Sequence, residues 1–315
     1  SSWYYFRYAD PKNEKEFASK EQIKKWLPVD LYVGGAEHTV LHLLYARFFT
    51  KVLNKLGYIN FDEPFKKLRH QGIILAEDGN KMSKSKGNVV NPDDVIKEYG
   101  ADALRLFEMF MGPLEDAKPW NTKGIVGMER FLDKIWRYFQ SETLGGGIIG
   151  AENNDKECYK IVNKSIKKVT ADIEELRFNT AISGLMIAFN EIQSLILKNT
   201  LSKEAIKFFK EKFLIILSPF TPHIAEEIWE KLGHKESIFK EKWPEYDPSL
   251  IKDEEIELVI QINGKLRDRI KVSADISEDE AKKTAMKSEK VKNFIGDKEI
   301  KKVIFVKGKL INIVI

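Results

Sequence analysis

Residues 81–85 have the sequence Lys-Met-Ser-Lys-Ser, in which two ammonium groups lie three residues apart and hydroxyl groups accompany them. The short side chain of Ser83 and the nearby Gly87 predict a mobile segment. Such a loop can close over a polyphosphate and neutralise its charge as pyrophosphate leaves. A solvated lysine-serine turn is the alternative, because a five-residue motif is weak support by itself. Its neighbours in the sequence therefore decide the interpretation.

A second motif precedes the loop. It begins at the end of a predicted strand at residues 29–33 and includes the start of a predicted helix over Glu37–Leu56. It has the sequence Gly-Gly-Ala-Glu-His-Thr-Val-Leu-His over residues 34–42. Its glycines would let a ligand approach the backbone, and free amides at a helix start favour phosphate or ribose oxygens. His38 and His42 would lie one helical turn apart. They are candidates for a metal pair, but no third ligand is evident, and two packed histidines are the structural alternative.

The first 120 residues mix strand and helix signals. The predicted helix has one apolar row at spacings of three and four residues. That row comprises Val40, Leu41, Leu44, Phe48, Val52 and Leu56. A short predicted strand over Gly72–Leu75 leads into the lysine loop, and Pro92 begins another helix. Strand, helix and strand in this order predict half of an open, Rossmann-like α/β sheet over residues 1–120, with ligands at the strand ends.

Residues 121–245 have a fully helical pattern, which predicts an all-α helix bundle with a glycine-rich loop at residues 145–147. Asp102 and Arg105, just before it, fit a plain pair on a helix surface. The segment Ser-Pro-Phe-Thr-Pro-His at 218–223 fits the entry to a core helix. We expect both of these motifs to be structural.

Residues 250–315 predict a small α+β domain. Alternating apolar residues over 258–262 indicate a strand, and Asn263-Gly264 is a strong signal for a two-residue hairpin. Residues 277–280, which begin with serine and end with glutamate, indicate a capping box at the start of a helix. The chain is therefore predicted to contain three domains: an α/β part, a helix bundle and this α+β domain.

The net charge of +4 is unevenly distributed. Residues 257–315 hold 14 Lys and Arg against 9 Asp and Glu, whereas the rest of the chain is close to neutral. The returning strand of the hairpin would place Arg267, Arg269 and Lys271 on one face. We predict that this face binds a phosphate backbone, with an ordinary solvated surface as the alternative.

Composition limits the other possibilities. The 315 residues suggest two or three domains, and 43% apolar residues suffice for their cores. A single cysteine, Cys158, excludes internal disulfides and a thiolate-rich zinc site, and fits a cytoplasmic setting. No uninterrupted apolar run reaches the ~18 residues of a membrane span, and the first residues are unlike a signal peptide. We expect no membrane partner and no protein-bound metal.

The four motifs together, at residues 34–42, 81–91, 99–106 and 218–229, resemble leucyl-tRNA synthetases of the bacterial type in order and spacing. The isoleucine, valine and methionine relatives share the lysine loop but not the pattern of one glutamate and two histidines in residues 37–42. The resemblance covers the whole chain, but only the C-terminal part of the full enzyme. It implies the second half of a class I catalytic domain, a helical anticodon-binding-type domain and a small C-terminal tRNA-binding domain.

By this resemblance, the chain takes part in the ATP-dependent activation of leucine and its transfer to tRNA(Leu), with Mg²⁺ accompanying ATP. Lys81 and Lys84 would act on the phosphates, Gly35 and Glu37 on the ribose, and Met82 would lie against adenine. The implied ATP-binding residues are Gly35, Glu37, Lys81, Met82, Ser83, Lys84 and Ser85. The implied leucine pocket comprises Tyr4, Tyr32, His38 and His42. Arg267, Arg269 and Lys271 are the implied tRNA-binding residues.

Several features of the family are missing. No two of the five histidines are three residues apart, so the His-x-Gly-His signature is absent. The acidic residue that would hold the leucine ammonium and the inserted editing domain have no counterpart, and only residues 76–80 stand where a leucine-specific insertion often lies. We therefore expect a piece of a longer protein or one subunit of a divided enzyme. It would need the missing N-terminal part to make leucyl-adenylate, because half of the phosphate-binding site is absent.

Two alternatives stay open. The chain could be a tRNA-binding fragment or subunit without catalytic activity of its own. Less favoured is a class Ia synthetase for isoleucine or valine, whose residues after the two glycines would differ.

Overall fold

The structure, a computed structural model, describes residues 1–140, 154–198, 200–251, 255–273, 276–296, 298–306 and 308–315. Contacts divide the chain into two compact units, Ser1–Tyr246 and Asp247–Ile315. The expected domains 1–120 and 121–245 lie together in the first unit, and the expected domain 250–315 lies in the second. The loop predicted at residues 145–147 lies outside the described residues.

The first unit begins with an α/β part. Its elements are α1 (Tyr4–Ala9), α2 (Lys20–Trp26), β1 (Tyr32–Gly35), α3 (His42–Lys55), β2 (Leu68–Gln71), β3 (Ile74–Leu75), α4 (Pro92–Tyr99), α5 (Ala101–Phe110) and β4 (Lys118–Pro119). β1 pairs in parallel with β2, and β3 pairs in parallel with β4. Because α3 connects two parallel strands, β1, α3 and β2 form a strand–helix–strand unit. Its second strand was not predicted, since β2 precedes the strand expected over residues 72–75, of which β3 covers the last two residues.

The strand and helix boundaries in this unit differ from the prediction. β1 includes both glycines instead of ending before them, since Gly34 and Gly35 pair with β2. The helix predicted over Glu37–Leu56 is divided. A 3-10 turn spans Ala36–Val40, and α3 begins after Leu41, whose φ of −117° and ψ of −104° are not helical. The two histidines of the motif therefore lie in different elements.

The buried face of α3 is not the predicted one. Its buried residues are Leu43, Ala46, Thr50 and Leu53. The predicted row is largely exposed, namely at Val40, Leu41, Leu44, Phe48 and Leu56. The small side chains of Ala46 and Thr50 let α1 approach closely, and the Tyr5 hydroxyl bonds to Thr50 Oγ1 at 3.0 Å. The helix is apolar on two faces, so its sequence alone could not show which face is covered.

The described residues after β4 form five long helices of the first unit: α6 (Thr122–Gln140), α7 (Asp155–Glu174), α8 (Phe178–Leu197), α9 (Lys203–Leu217) and α10 (Pro222–Lys231). Their core is continuous with that of the α/β part, because Val95, Phe107 and Trp120 belong to the same buried cluster as Phe189 and Phe213. The helix bundle is therefore packed onto α4 and α5 as one body.

α8 is long and apolar enough to cross a membrane by length and composition. Such a segment was not expected, because the sequence shows no uninterrupted apolar run of that length. Its residues Ala181, Leu185, Phe189 and Ile192 are buried in the bundle core. The core helix of a helix bundle has the same composition as a membrane span, so this observation is weak support for one.

Asp102 and Arg105 are not the surface pair that the sequence suggests. The buried carboxylate of Asp102 accepts hydrogen bonds from the backbone amides of His223 and Ile224. Arg105 donates to the carbonyl oxygens of Pro219 and Phe220, at 2.8 and 3.3 Å. The segment at residues 218–223 is structural, as predicted, and α5 holds the start of α10 in place.

In the described part of the second unit, one sheet packs with two helices. Its elements are β5 (Glu255–Ile262), β6 (Lys265–Ser273), α11 (Glu278–Lys287), α12 (Glu289–Ile295), β7 (Lys302–Val306) and β8 (Leu310–Val314). The strand order is β6-β5-β8-β7. The predicted hairpin is confirmed, with positive φ at both Asn263 and Gly264. The capping box between Ser277 and Glu280 is also confirmed.

Candidate functional site

Two cavities lie beside the ends of β1 and β2 and share three residues, Gly35, Glu37 and Gln71. The first cavity has a volume of about 450 Å³ and extends along residues 72–74 toward α5. The second has a volume of about 350 Å³ and extends toward α1 and α3. Glu37 thus stands at the junction of two spaces, each large enough for part of a small ligand.

Two glycines let the chain pack closely around these cavities. A Cβ atom on Gly35 would lie 2.2 Å from Oε2 of Glu37, so the glycine leaves room for the carboxylate to fold over the strand end. A Cβ atom on Gly72 would lie 1.9 Å from the carbonyl oxygen of Asp116, which is backbone and cannot move aside easily. The floor of the first cavity is therefore built from backbone in direct contact.

The second cavity brings together all four residues predicted for the leucine pocket, Tyr4, Tyr32, His38 and His42. The Tyr32 hydroxyl is hydrogen-bonded to Nε2 of His42 at 2.6 Å and to the Tyr4 hydroxyl. The Tyr32 ring stacks on Phe65, with centroids 3.8 Å apart. This hydrogen-bonded chain fixes the aromatic walls of the cavity, and the ring centroids of His38 and His42 are 6.4 Å apart.

Burial makes this wall electrically neutral. It raises the pKa of the Tyr32 hydroxyl well above its ordinary value, so the hydroxyl keeps its proton. It also lowers the pKa of His42, with the charge of His38 as a second cause. If Tyr32 donates to Nε2, the proton of the neutral ring lies on Nδ1, which is buried and has no hydrogen-bond partner. A neutral, largely aromatic wall suits an apolar side chain.

The lysine loop has a defined local structure. Asn88 accepts from the Ser83 amide at 2.9 Å, and Ser83 accepts from the Lys86 amide at 3.3 Å as the cap of a short 3-10 turn. Gly87 ends the turn with a φ of 66°, a conformation that favours glycine. The side chain of Lys84 is exposed. The loop therefore presents its charges to solvent from a hydrogen-bonded frame.

The structure does not bring the two lysines into the cavities. Of the described residues, neither Lys81 nor Lys84 lines the first or the second cavity. The lysine loop is connected to the first cavity through the backbone, since Ile74 lines this cavity and the next residue, Leu75, forms a β-bridge with Lys81. Met82, predicted to lie against adenine, is half-buried against the apolar core.

The first cavity also contains residues that sequence reasoning did not select. Glu108 and Lys118 line it, together with Phe178 from the start of α8. Burial raises the pKa of Glu108, while the positive charge of Arg105 opposes the change. Burial lowers the pKa of Lys118, against the effect of the neighbouring acidic side chains. These residues come from segments that are distant in the sequence, and none of them belongs to a motif.

The residues predicted to bind tRNA lie in the second unit and differ in their surroundings. The guanidinium of Arg267 lies 4.0 Å from the ring centroid of Phe294 in α12. Arg269 forms an ion pair with Glu257 at 3.7 Å, and Lys271 is opposite Glu257 in the strand register. Glu257 offsets part of the positive charge of this face.

The described part of the chain contains no group of three or more His, Cys, Asp or Glu side chains arranged to hold a metal ion. In particular, His38 and His42 are not joined there by a third ligand. The arrangement offers hydrogen-bond acceptors, aromatic walls and exposed ammonium groups, which suit the binding of an uncharged group beside a nucleotide.

Two family models match the chain. The model for tRNA synthetases class I (I, L, M and V) matches residues 9–119, and the model for the anticodon-binding domain of tRNA ligase matches residues 155–283. The first match contains β1, β2, the lysine loop and most of the lining of both cavities. The second contains α7 to α10 and continues into the second unit.

Similar proteins match this chain along its whole length. The leucine–tRNA ligases of Borrelia garinii subsp. bavariensis and Borrelia turicatae are 50% and 51% identical to it, over 100% of this chain and 40% of each relative. Among solved structures, a LeuRS of Agrobacterium radiobacter K84, in a ternary complex with tRNA and LeuAMS, is 34% identical with a TM-score of 0.88. That match covers 99% of this chain and 41% of the other. The chain thus spans about two fifths of the length of the proteins it matches.

Proposed function

The chain is a homologue of leucine–tRNA ligases along its whole length, and we propose that it supplies part of an enzyme that joins leucine to tRNA(Leu) with ATP. The observation that carries this proposal is the pair of cavities that meet at Gly35, Glu37 and Gln71. Leucyl-adenylate has an apolar side chain at one end, a base at the other and a ribose between them. Two adjoining cavities with a carboxylate at their junction fit this order of groups.

The second cavity would take the leucine side chain. Its wall of Tyr4, Tyr32 and His42 is aromatic and held by hydrogen bonds, and such a wall suits an apolar side chain. At the junction, the carboxylate of Glu37 could accept hydrogen bonds from both ribose hydroxyls. The first cavity would then hold the adenine base.

The reaction would proceed in two steps. The leucine carboxylate attacks the α-phosphorus of Mg-ATP and pyrophosphate leaves, which gives the adenylate. A ribose hydroxyl of the terminal adenosine of tRNA then attacks the acyl carbonyl, and AMP leaves. Catalysis would rest on positioning and on stabilisation of the spreading negative charge, with no covalent enzyme intermediate.

Lys81 and Lys84 would supply that stabilisation after the lysine loop moves. Their ammonium groups line neither cavity in the described structure, so they would have to swing toward the phosphates when ATP binds. The hydrogen bonds of Ser83 and Asn88 would keep the loop in shape during this movement. The closed loop would contact pyrophosphate in the first step only.

The helix bundle and the second unit would bind tRNA. The anticodon-binding match at residues 155–283 supports this role. Arg269 and Lys271 are exposed and are the best candidates for phosphate contacts in the second unit. Lowering the salt concentration should strengthen tRNA binding by the whole chain, and replacing both residues by alanine should reduce the salt dependence. Lys12→Ala with Lys15→Ala is a charge-matched control, because both residues are exposed and lie outside the helix bundle and the second unit. We place the enzyme in the cytoplasm, where its tRNA and ATP are found.

The deciding experiment measures binding of a nonhydrolysable leucyl-adenylate analogue by calorimetry. The wild-type chain should bind it, and Glu37→Gln should weaken binding at least tenfold because the ribose loses a charged acceptor. Glu14→Gln is the matched control, since Glu14 is exposed and lines neither cavity. Equal binding of the leucine and isoleucine analogues, or no effect of Glu37→Gln, would contradict the proposal.

A second candidate applies to the chain acting alone: it binds tRNA without activating leucine. It is the weaker candidate, since the similar proteins are named leucine–tRNA ligases. The position of both lysines outside the cavities makes it worth testing. Both candidates predict no leucine-dependent ATP–pyrophosphate exchange by the chain alone, so exchange by a mixture with the remainder of a ligase separates them. Exchange that is restored by adding the remainder of a ligase would assign the activity to the complete enzyme.

A further inference from the structure

We propose that a cavity on the helix bundle is a modification site, in which Lys210 forms a Schiff base with a small aldehyde that carries a phosphate group. This bundle cavity has a volume of about 260 Å³ and is lined by α9 and by residues just after α10. It shares no lining residue with the first or the second cavity. The inference therefore goes beyond the proposed function and does not rest on it.

One face of α9 forms most of the bundle cavity. Its lining residues recur at spacings of three and four, which place side chains on one side of a helix. They are Lys203, Ile206, Lys207, Lys210 and Glu211. Three lysines and one glutamate leave this face with an excess of positive charge.

The bundle cavity combines apolar and basic side chains. Ile206 is 7% exposed and Leu232 is half-buried, so they supply an apolar floor, whereas Lys203 and Lys207 are exposed at the rim. The volume of about 260 Å³ is slightly below the ~300–1,000 Å³ of cavities for drug-sized ligands. A compact ligand with an apolar body and an anionic group fits this division.

Lys210 differs from the other two lysines of the bundle cavity because it is half-buried. Its ammonium nitrogen lies 5.5 and 5.8 Å from the ring centroids of Tyr138 and Phe139 in α6. The rings favour the charged form, but burial has the larger effect and lowers the pKa of Lys210. In the described part of the chain no acidic side chain opposes this change. Lys210 therefore has a larger share of the neutral amine, which is the nucleophilic form of lysine.

The acidic residue of the bundle cavity faces other partners. Glu211 lies 3.9 Å from Nζ of Lys207 and 4.0 Å from Nε2 of His234. The ring of His234 also stacks on that of Trp229, with centroids 3.6 Å apart. These contacts hold His234 at the edge of the cavity, which it lines. Its imidazole can donate or accept a proton there.

The proposed step is a condensation that needs neither an oxidant nor a reductant. The lone pair of Nζ attacks the aldehyde carbon, and the carbonyl oxygen takes up a proton to give a carbinolamine. Both hydrogens of the neutral amine then leave with that oxygen as water, and a C=N bond remains. His234 can donate the proton that the departing oxygen needs. The phosphate would bind to Lys203 and Lys207, which attract an anion without a fixed geometry.

Pyridoxal phosphate is a suitable probe, because it carries both an aldehyde and a phosphate. The full chain is incubated with a limiting amount of it, reduced with borohydride and digested, and the labelled lysines are measured by mass spectrometry. We expect Lys210 to be labelled at least tenfold faster than Lys12 and Lys242. Both of these are exposed and line none of the three cavities, so they are internal controls for ordinary lysine reactivity.

The role of the phosphate has its own variant. Lys203→Ala with Lys207→Ala should slow the labelling of Lys210 at least fivefold, because the phosphate loses two cations. Lys12→Ala with Lys15→Ala, which removes the same charge elsewhere, should change the rate less than twofold. Benzaldehyde, which has no phosphate, should label Lys210 equally slowly in the wild type and in both variants. Thermal midpoints should stay close to wild type, because all four replaced side chains are exposed.

Three results would overturn the proposal. The first is labelling of Lys210 at the rate of Lys12 and Lys242. The second is preferential labelling of Lys203 or Lys207, which would show that exposure and not burial selects the lysine. The third is an unchanged rate at Lys210 when both rim lysines are replaced. The comparison within the wild-type chain decides the first two results even if a variant fails to fold.

Discussion

The carboxylate of Asp102 accepts a hydrogen bond from the backbone amide of Ile224 at 2.7 Å, across 122 residues of sequence. A second bond comes from the amide of His223 at 3.3 Å. The first amides of a helix have no partner within it, and here a side chain of α5 satisfies those of α10. Asp102 is only 7% exposed, so this contact is shielded from water and worth more than a surface bond.

Removing this carboxylate should destabilise the first unit. We expect Asp102→Ala to lower the free energy of unfolding by ~2 kcal/mol, since two amides at the start of α10 lose a charged acceptor. Asp102→Asn should lower the free energy of unfolding less, because the amide oxygen of asparagine can still accept one hydrogen bond. Urea denaturation followed by circular dichroism measures both. Asp133→Ala is the control, as Asp133 is exposed and forms only a surface pair with Arg137. Equal midpoints for Asp102→Ala and wild type would contradict the assignment.

Two glycines in α6 should respond to alanine with opposite signs. A Cβ atom on Gly124 would lie 2.5 Å from the ring of Phe107, whereas one on Gly127 would meet no atom within 4 Å. Gly124→Ala should therefore lower stability by ~1–3 kcal/mol through overpacking. Gly127→Ala should raise it by up to ~1 kcal/mol, because alanine is the better helix former. Thermal unfolding of the two variants tests the packing of α6 on α5, and a shift in the same direction for both would refute it.

The neutral ring of His42 should make stability depend on pH. Its pKa is lowered in the folded state, so below about pH 6.5 the unfolded chain binds a proton that the folded chain resists. Stability should therefore fall as the pH drops from about 6.5 toward the folded pKa. His42→Gln should remove this part of the dependence. Urea midpoints at pH 7.5 and pH 5.5 provide the test, together with NMR titration of the ring. A His42 that titrates above 6.5 would show that the sign is wrong.

Acid should remove the contribution of Glu63. Its pKa is lowered to about 2, first by the hydrogen bonds from Arg47 at 2.6 and 2.8 Å and further by Lys51. A carboxyl group whose pKa is lowered on folding stabilises the fold at pH values above its unfolded pKa of ~4.3. This stabilisation is lost as the pH falls toward 2. Because the pair is about half exposed, water screens it. Glu63→Gln should lower the thermal midpoint by about 1–2 °C at pH 7 and by less at pH 3. A difference that grows in acid would contradict this account.

Local signals in the sequence predicted local structure well. The turn at Asn263 and Gly264 and the cap at Ser277 depend on residues within a few positions of each other, and both were found as predicted. The spacing of apolar residues predicted the helix bundle for the same reason. In α3, however, both faces are apolar, and only the packing of Ala46 and Thr50 against α1 selected the inner one.

The candidate site was predictable where its residues lie in motifs. The residues around Glu37 and His42 were selected because glycine, glutamate and histidine follow a strand, and they do line two joined cavities. Lys118 and Phe178 could not be selected, because they reach the first cavity through contacts between distant segments. The hydrogen-bond partners of Asp102 and Arg105 lie more than a hundred residues away in the sequence. The sequence alone therefore suggested only a pair on one helix surface.

The continuous core through Trp120 has a mechanical consequence. Glu108 in α5 and Phe178 in α8 both belong to the wall of the first cavity, and α5 is clamped to α10 by Asp102. A displacement of α8 relative to α5 would therefore change the width of this cavity directly, because the two helices supply different parts of one wall.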